Sequence, residues 1–74
     1  IDFSLENSTS VQIKIFNPKG QLLRRLLDKQ MNAGIHTVLW DGKDNLGKTV
    51  GAGLYFYRMC TKSYSQTEKM LIVR

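Results

Sequence analysis

The sequence predicts an all-β sandwich, and three observations lead there. From Val11 the residues alternate, with Val11, Ile13 and Ile15 on one face and Gln12 and Lys14 on the other, the period of a half-buried strand. The run "LYFYRMCT" (54–61) is dense in aromatic residues that favour strands. Clusters of Gly, Pro, Asn and Asp punctuate the chain at short intervals, which suits short strands joined by turns better than alternating strands and helices.

Taken in order, "IDFSL" (1–5) alternates through Ile1, Phe3 and Leu5 and reads as a strand that "ENSTS" ends. The Val11 strand stops at "NPKG" (17–20), where Pro18 removes a donor and Gly20 tolerates positive φ. "QLLRRLLDKQ" (21–30) leaves two readings open. Leu22, Leu23, Leu26 and Leu27 fit one face of a helix with Gly34 as a cap, and the same letters fit a twisted strand bent at Arg24 and Arg25. Gly34 then opens a strand that places Val38 and Trp40 on one face, with His36 sharing their parity. Residues 41–53 carry four Gly together with Asp41, Asp44 and Asn45, a loop by composition. In the 54–61 strand Tyr55, Tyr57 and Met59 share one face and Leu54, Phe56 and Cys60 the other. Apolar character on both sides predicts a central strand of the sandwich core. A polar turn near "KSYS" leads to a closing strand, "TEKMLIVR" (67–74).

Composition bounds the function. Seventy-four residues make one domain, 1–74, near the lower limit for a self-sufficient core. With 42% hydrophobic and 23% charged residues, the chain has the make-up of a folded protein rather than a disordered one. Eleven Lys and Arg against six Asp and Glu give a net charge of +5, scattered, with Arg24–Arg25 the densest pair. Such a surface favours acidic partners such as anionic polysaccharide or lipid headgroups without specifying nucleic acid. Cys60 is alone, so no internal disulfide forms. The runs "LYFY" and "MLIV" are far shorter than the roughly 20 residues of a spanning helix. A start at Ile1 suggests processing or a longer parent chain, with any export signal upstream.

One stretch spells a catalytic motif. "WDGKDNLGKTV" (40–50) satisfies the phosphate-loop pattern through Gly42, Gly47, Lys48 and Thr49. A working phosphate loop needs a helix directly after it, because the helix N-terminus and loop N–H groups bind the phosphate. Val50, Gly51, Ala52 and Gly53 follow instead, then the aromatic run, so no nucleotide site is expected. Asp41, Asp44 and Asn45 lack the ligand alternation of a calcium loop and are expected to fix turns. His36 is the only histidine, and Asp2, Glu6, Asp28 and Glu68 form no recognisable catalytic pair. The expectation is a non-enzyme without a cofactor or metal, and without a nucleic-acid site.

Three segments resemble known families. "VQIKIFNPKGQLLRRL", "AGIHTVLWDGKDNLGKTVGAGLYFYRM" and "EKMLIVR" are similar to the immunoglobulin-like domain of the flagellar hook-capping protein and to the C-terminal sorting domains of the type IX secretion system. The shared features are the strand and turn Val11–Gly20, the Trp40-Asp41-Gly42 strand end, and Gly53 before Tyr55 and Tyr57. The fourth is the closing run Lys69, Met70, Leu71, Ile72, Val73 and Arg74. The Asn-Pro-rich lead-in usual before the first strand in these families is absent or cut off here. The resemblance implies an immunoglobulin-like β-sandwich of about seven antiparallel strands in which "QLLRRLL" is a strand. Gly20, Trp40, Asp41, Gly42, Asp44, Gly47 and Tyr57 become turn and core positions, with Trp40 ending a core strand. It also implies a non-catalytic sorting module at the C-terminus of an exported bacterial protein at the cell surface. Gly53, Tyr55 and Lys69–Arg74 would then be its signal, read by outer-membrane secretion and attachment machinery. The competing expectations are a hook-cap-like assembly domain, or a filament or scaffold subunit that associates through its sheet edges. A glycan-binding accessory domain using Tyr64 is the last.

Overall fold

The computed structural model describes residues 1–73; Arg74, a candidate end of the sorting signal, lies outside the described residues. Among these residues there are six strands and no helix: β1 (Asp2–Leu5), β2 (Thr9–Phe16), β3 (Leu22–Met31), β4 (Gly34–Thr37), β5 (Gly53–Cys60) and β6 (Ser65–Ile72). They form two antiparallel sheets, β1-β4 and β3-β2-β5-β6, an immunoglobulin-like arrangement of six strands where about seven were expected. No further strand forms between Trp40 and Gly51, because that segment folds back on itself through its own turn.

β2 organises the molecule. It pairs with β3 on one edge and β5 on the other, and Val11, Ile13 and Ile15 are wholly buried on its inner face. Leu5 from β1 and Met59 from β5 join Val11 and Ile13 in one cluster, with Phe3, Leu26, Leu27, Val38 and Tyr57 packed around it. The small sheet is therefore laid on the large one through Leu5 and Phe3. The alternation of residues 1–5 and 11–15 places the same side chains inward that the sequence indicates. β2 begins two residues early, at Thr9.

The segment that allowed helix or strand is strand β3. Two register shifts against β2 leave Leu26 and Leu23 without direct partners, since Ile13 faces Leu27, Lys14 faces Arg25, Ile15 faces Arg24 and Phe16 faces Leu22. Each extra residue is a bulge. Each pair of leucines that imitates a helical stripe is one extra residue, Leu23 or Leu26, and its paired neighbour, Leu22 or Leu27.

Two expectations are corrected. Trp40 does not end a strand: β4 stops at Thr37, and Trp40 is only half-buried three residues later. The second is the environment of β5. It is central in its sheet, with Tyr55 and Met59 buried on the inner face, yet Leu54 on the other face is 41% exposed. Only one face of β5 is covered.

Ile13→Ala should destabilise the chain by about 2–5 kcal/mol, combining lost transfer energy and a cavity, a large part of a small domain's total. Leu39→Ala, at a position 82% exposed, should stay within about 0.5 kcal/mol of the parent. Urea denaturation followed by Trp40 fluorescence measures both.

Candidate functional site

The phosphate-like segment is a miniature hairpin. Lys43 and Thr49 form an isolated antiparallel bridge, and the Val50 N–H donates to the Gly42 carbonyl (2.9 Å). Its tip repeats, bond for bond, the turn that joins β2 to β3. Asn17 Oδ1 accepts from the N–H groups of Lys19 and Gln21 (2.9 and 3.0 Å), and Asp44 Oδ1 accepts from those of Leu46 and Lys48 (2.9 Å each). Gly20 N–H donates to Asn17 O (2.9 Å), and Gly47 N–H to Asp44 O (3.0 Å). Asn17 N–H donates to Gln21 O and Asp44 N–H to Lys48 O (3.1 and 2.9 Å). Gly20 and Gly47 take φ of 82° and 81°, where a side chain would be strained. "NPKGQ" and "DNLGK" are one device, and the sequence signal was the shared Asn/Asp-x-x-Gly word.

The chemistry of a phosphate cradle is reversed here. The backbone N–H groups at the turn are taken up by Asp44 Oδ1, and Lys48 and Thr49 are exposed. No helix follows. Asp41 Oδ1 accepts from the Lys43 N–H (3.0 Å) and lies 3.6 Å from the Arg24 guanidinium. Both carboxylates are engaged in shaping the loop, and the described residues contain no cluster of three metal-ligating side chains.

The hairpin is clipped at two places. On one side the Asn45 N–H donates to Leu23 O and Asn45 Oδ1 accepts from the Arg25 N–H (2.9 Å each). These are outward backbone groups of β3, an edge strand, so one asparagine covers part of a sheet edge. Arg24 adds long contacts from its guanidinium to the carbonyls of Lys43 and Asp44 (3.3 and 3.4 Å). On the other side Trp40 Nε1 donates to Lys43 O (2.9 Å), and its ring meets Tyr55 edge-on at 5.7 Å. The Tyr55 hydroxyl in turn donates to Gly51 O (2.6 Å). Trp40, Asp41, Gly42, Asp44 and Gly47 thus act together in holding this loop against β3 and β5.

Of the residues expected to form a sorting signal, Gly53, Tyr55 and Lys69–Ile72 come together on the β5–β6 ladder. Gly53 faces Ile72, Tyr55 faces Met70 and Phe56 faces Lys69, while Leu71 and Val73 are 69% and 81% exposed. Tyr57 faces Glu68. Burial, followed by the charges of Glu68 and Asp2, raises the Tyr57 phenol above its ordinary pKa of 10.0. His36 lies against Phe3 at 5.5 Å and donates from Nε2 to Asn32 O (2.7 Å). Tyr64 borders an open cleft of about 470 Å³ with Ser4, Glu6, Asn7, Thr9 and Thr61. Among the described residues no helix is long and apolar enough to cross a membrane.

Residues 1–65 match the family model of the FlgD Ig-like domain. The match ends at the first residue of β6, so Lys69–Arg74 fall outside it. No curated protein and no solved structure matches the chain.

Asp44→Ala should cost about 1–2 kcal/mol, since it removes an acceptor serving two N–H groups, and should speed amide exchange at Leu46 and Lys48. Lys48→Ala should change stability by less than about 0.5 kcal/mol, and calorimetric titration with ATP should give no binding to either chain. Because the folded state raises the Tyr57 pKa, its stabilising contribution is complete below pH 10.0 and is lost as pH rises through the folded value. The urea midpoint of the parent should therefore fall more steeply in alkali than that of Tyr57→Phe.

Proposed function

The chain belongs to the FlgD Ig-like domain family, and from that membership we propose that it is a non-catalytic assembly domain of the hook-cap type. In this reading the domain belongs to an extracellular or surface-associated structure and helps to order its protein subunits. The family match over residues 1–65 carries the reading. Its geometry is consistent with a scaffold: conspicuous polar side chains are spent on turns and clips, and one sheet edge is partly covered by Asn45. At the opposite edge, β6 has no further strand beside it among the described residues, which suits growth by strand addition.

A sorting module is the second reading. It draws on β6, the strand that continues past the matched span and turns Lys69 and Leu71 to solvent. Recognition by secretion machinery would then be read from Lys69–Arg74.

Replacing this domain in its parent protein by an unrelated β-sandwich separates the two. The assembly reading expects the parent to be exported and the hook or filament to fail, as counted by electron microscopy. Retention of the parent inside the cell, or normal assembly, would contradict it, retention being what the sorting reading expects.

A further inference from the structure

We propose that the solvent-facing side of the β3-β2-β5-β6 sheet is a docking surface for an acidic protein segment bearing apolar side chains. Burying Val11, Ile13 and Ile15 turns Lys14 and Phe16 outward, and strand pairing then builds rows across the sheet. Arg25 faces Lys14, and Lys14 faces Arg58, so three cations stand in register on three adjacent strands. Like charges directly opposite each other destabilise a sheet. Among the described residues the one ion pair is Arg24–Asp41, and the one carboxylate sharing this face is Asp28, opposite Gln12. The cationic row has no counterpart of its own.

The next rows are apolar apart from Lys69, which faces Phe56 from β6. Leu22 faces Phe16, Phe16 faces Phe56 and Leu54 faces Leu71, and Leu22, Leu54 and Leu71 are 39%, 41% and 69% exposed. A shallow groove of about 200 Å³ lies where the two zones meet, between Phe16, Pro18, Phe56 and Arg58. An apolar patch beside unpaired charge marks an interaction surface. The groove takes one apolar side chain, and flanking carboxylates meet Lys14, Arg25 and Arg58.

Charge selects the occupant. A second copy of this face would set the same cations against each other in a chain of net charge +5. Single-stranded nucleic acid needs free aromatic faces, and the Phe16 ring is already covered by the Arg58 guanidinium at 5.4 Å. Aliphatic Leu54 and Leu71 give bases nothing to stack on. The inference rests on the assembly reading only in taking the occupant to be a protein.

The probe is an Asp-rich peptide of about 12 residues containing Leu and Phe, titrated into the isotope-labelled chain at about 50 mM salt, where screening is weak. Saturable amide shifts centred on Lys14, Phe16, Phe56 and Arg58 are expected. Binding should weaken about tenfold or more when Asn replaces Asp in the peptide, in Lys14→Glu/Arg58→Glu, and in Phe56→Ser, each checked for native shift dispersion. Lys48→Glu should bind as the parent does. Absence of saturable binding, shifts centred elsewhere, or equal or tighter binding of an oligothymidine of the same charge would each overturn the proposal. A chain that binds the peptide yet is dispensable for assembly overturns the assembly reading alone, and one needed for assembly that ignores the peptide overturns this surface alone.

Discussion

Strand β2 is the element on which the other structure depends. It is hydrogen-bonded along both edges, and three of its side chains, Val11, Ile13 and Ile15, are removed entirely from water. A one-residue slip would expose all three and bury Lys14, so the register is fixed by burial rather than by any single contact. Once β2 is fixed, so are its neighbours. Met59 falls opposite Ile13 and closes the cluster with Leu5, while the outward residues of β2, β3 and β5 must line up in rows. The basic and apolar zones on the outer face are the other half of the same constraint.

The loops solve a second problem, the exposed edge of β3. Two bulges bend that strand and leave outward backbone groups at Leu23 and Arg25, which Asn45 takes up. Asn45 reaches them because Asp44 nucleates a turn of the same kind as Asn17, and because Trp40 and Arg24 hold Lys43 from either side. A word that reads as a phosphate loop is, physically, a turn that needs Asp at its start and Gly at its fourth position. Lys48 and Thr49 follow as exposed bystanders.

Much of this was legible in the sequence. Period-2 alternation placed the inward residues of β1 and β2, and the run after Thr49, unsuited to a helix, pointed to a turn at residues 41–50. β3 was ambiguous because a bulge lets the adjacent Leu26 and Leu27 both pack on the core, and leucines at 22, 23, 26 and 27 copy a helical stripe. Trp40 misled because a large aromatic residue at strand parity reads as core, whereas it serves as a clip with its indole N–H bonded to Lys43 O. The outer face of β5 misled for a related reason: Leu54 and Phe56 look like core residues, yet Leu54 is exposed and Phe56 only half-buried, with no second sheet on that side among the described residues. The docking of Asn45 on β3 joins residues 20 apart through backbone groups and leaves no mark in composition or periodicity.

This immunoglobulin-like domain is thus built from a one-sided sheet, with conspicuous polar side chains committed to turns and its outer face left open. That partition is the central claim, and paramagnetic relaxation by a soluble gadolinium chelate tests it most directly. The account predicts strong broadening of the side-chain signals of Leu54 and Leu71, and none for Val11, Ile13, Ile15 and Met59. Protection of Leu54 and Leu71 equal to that of Ile13 would mean that both faces of the sheet are covered, and would contradict it.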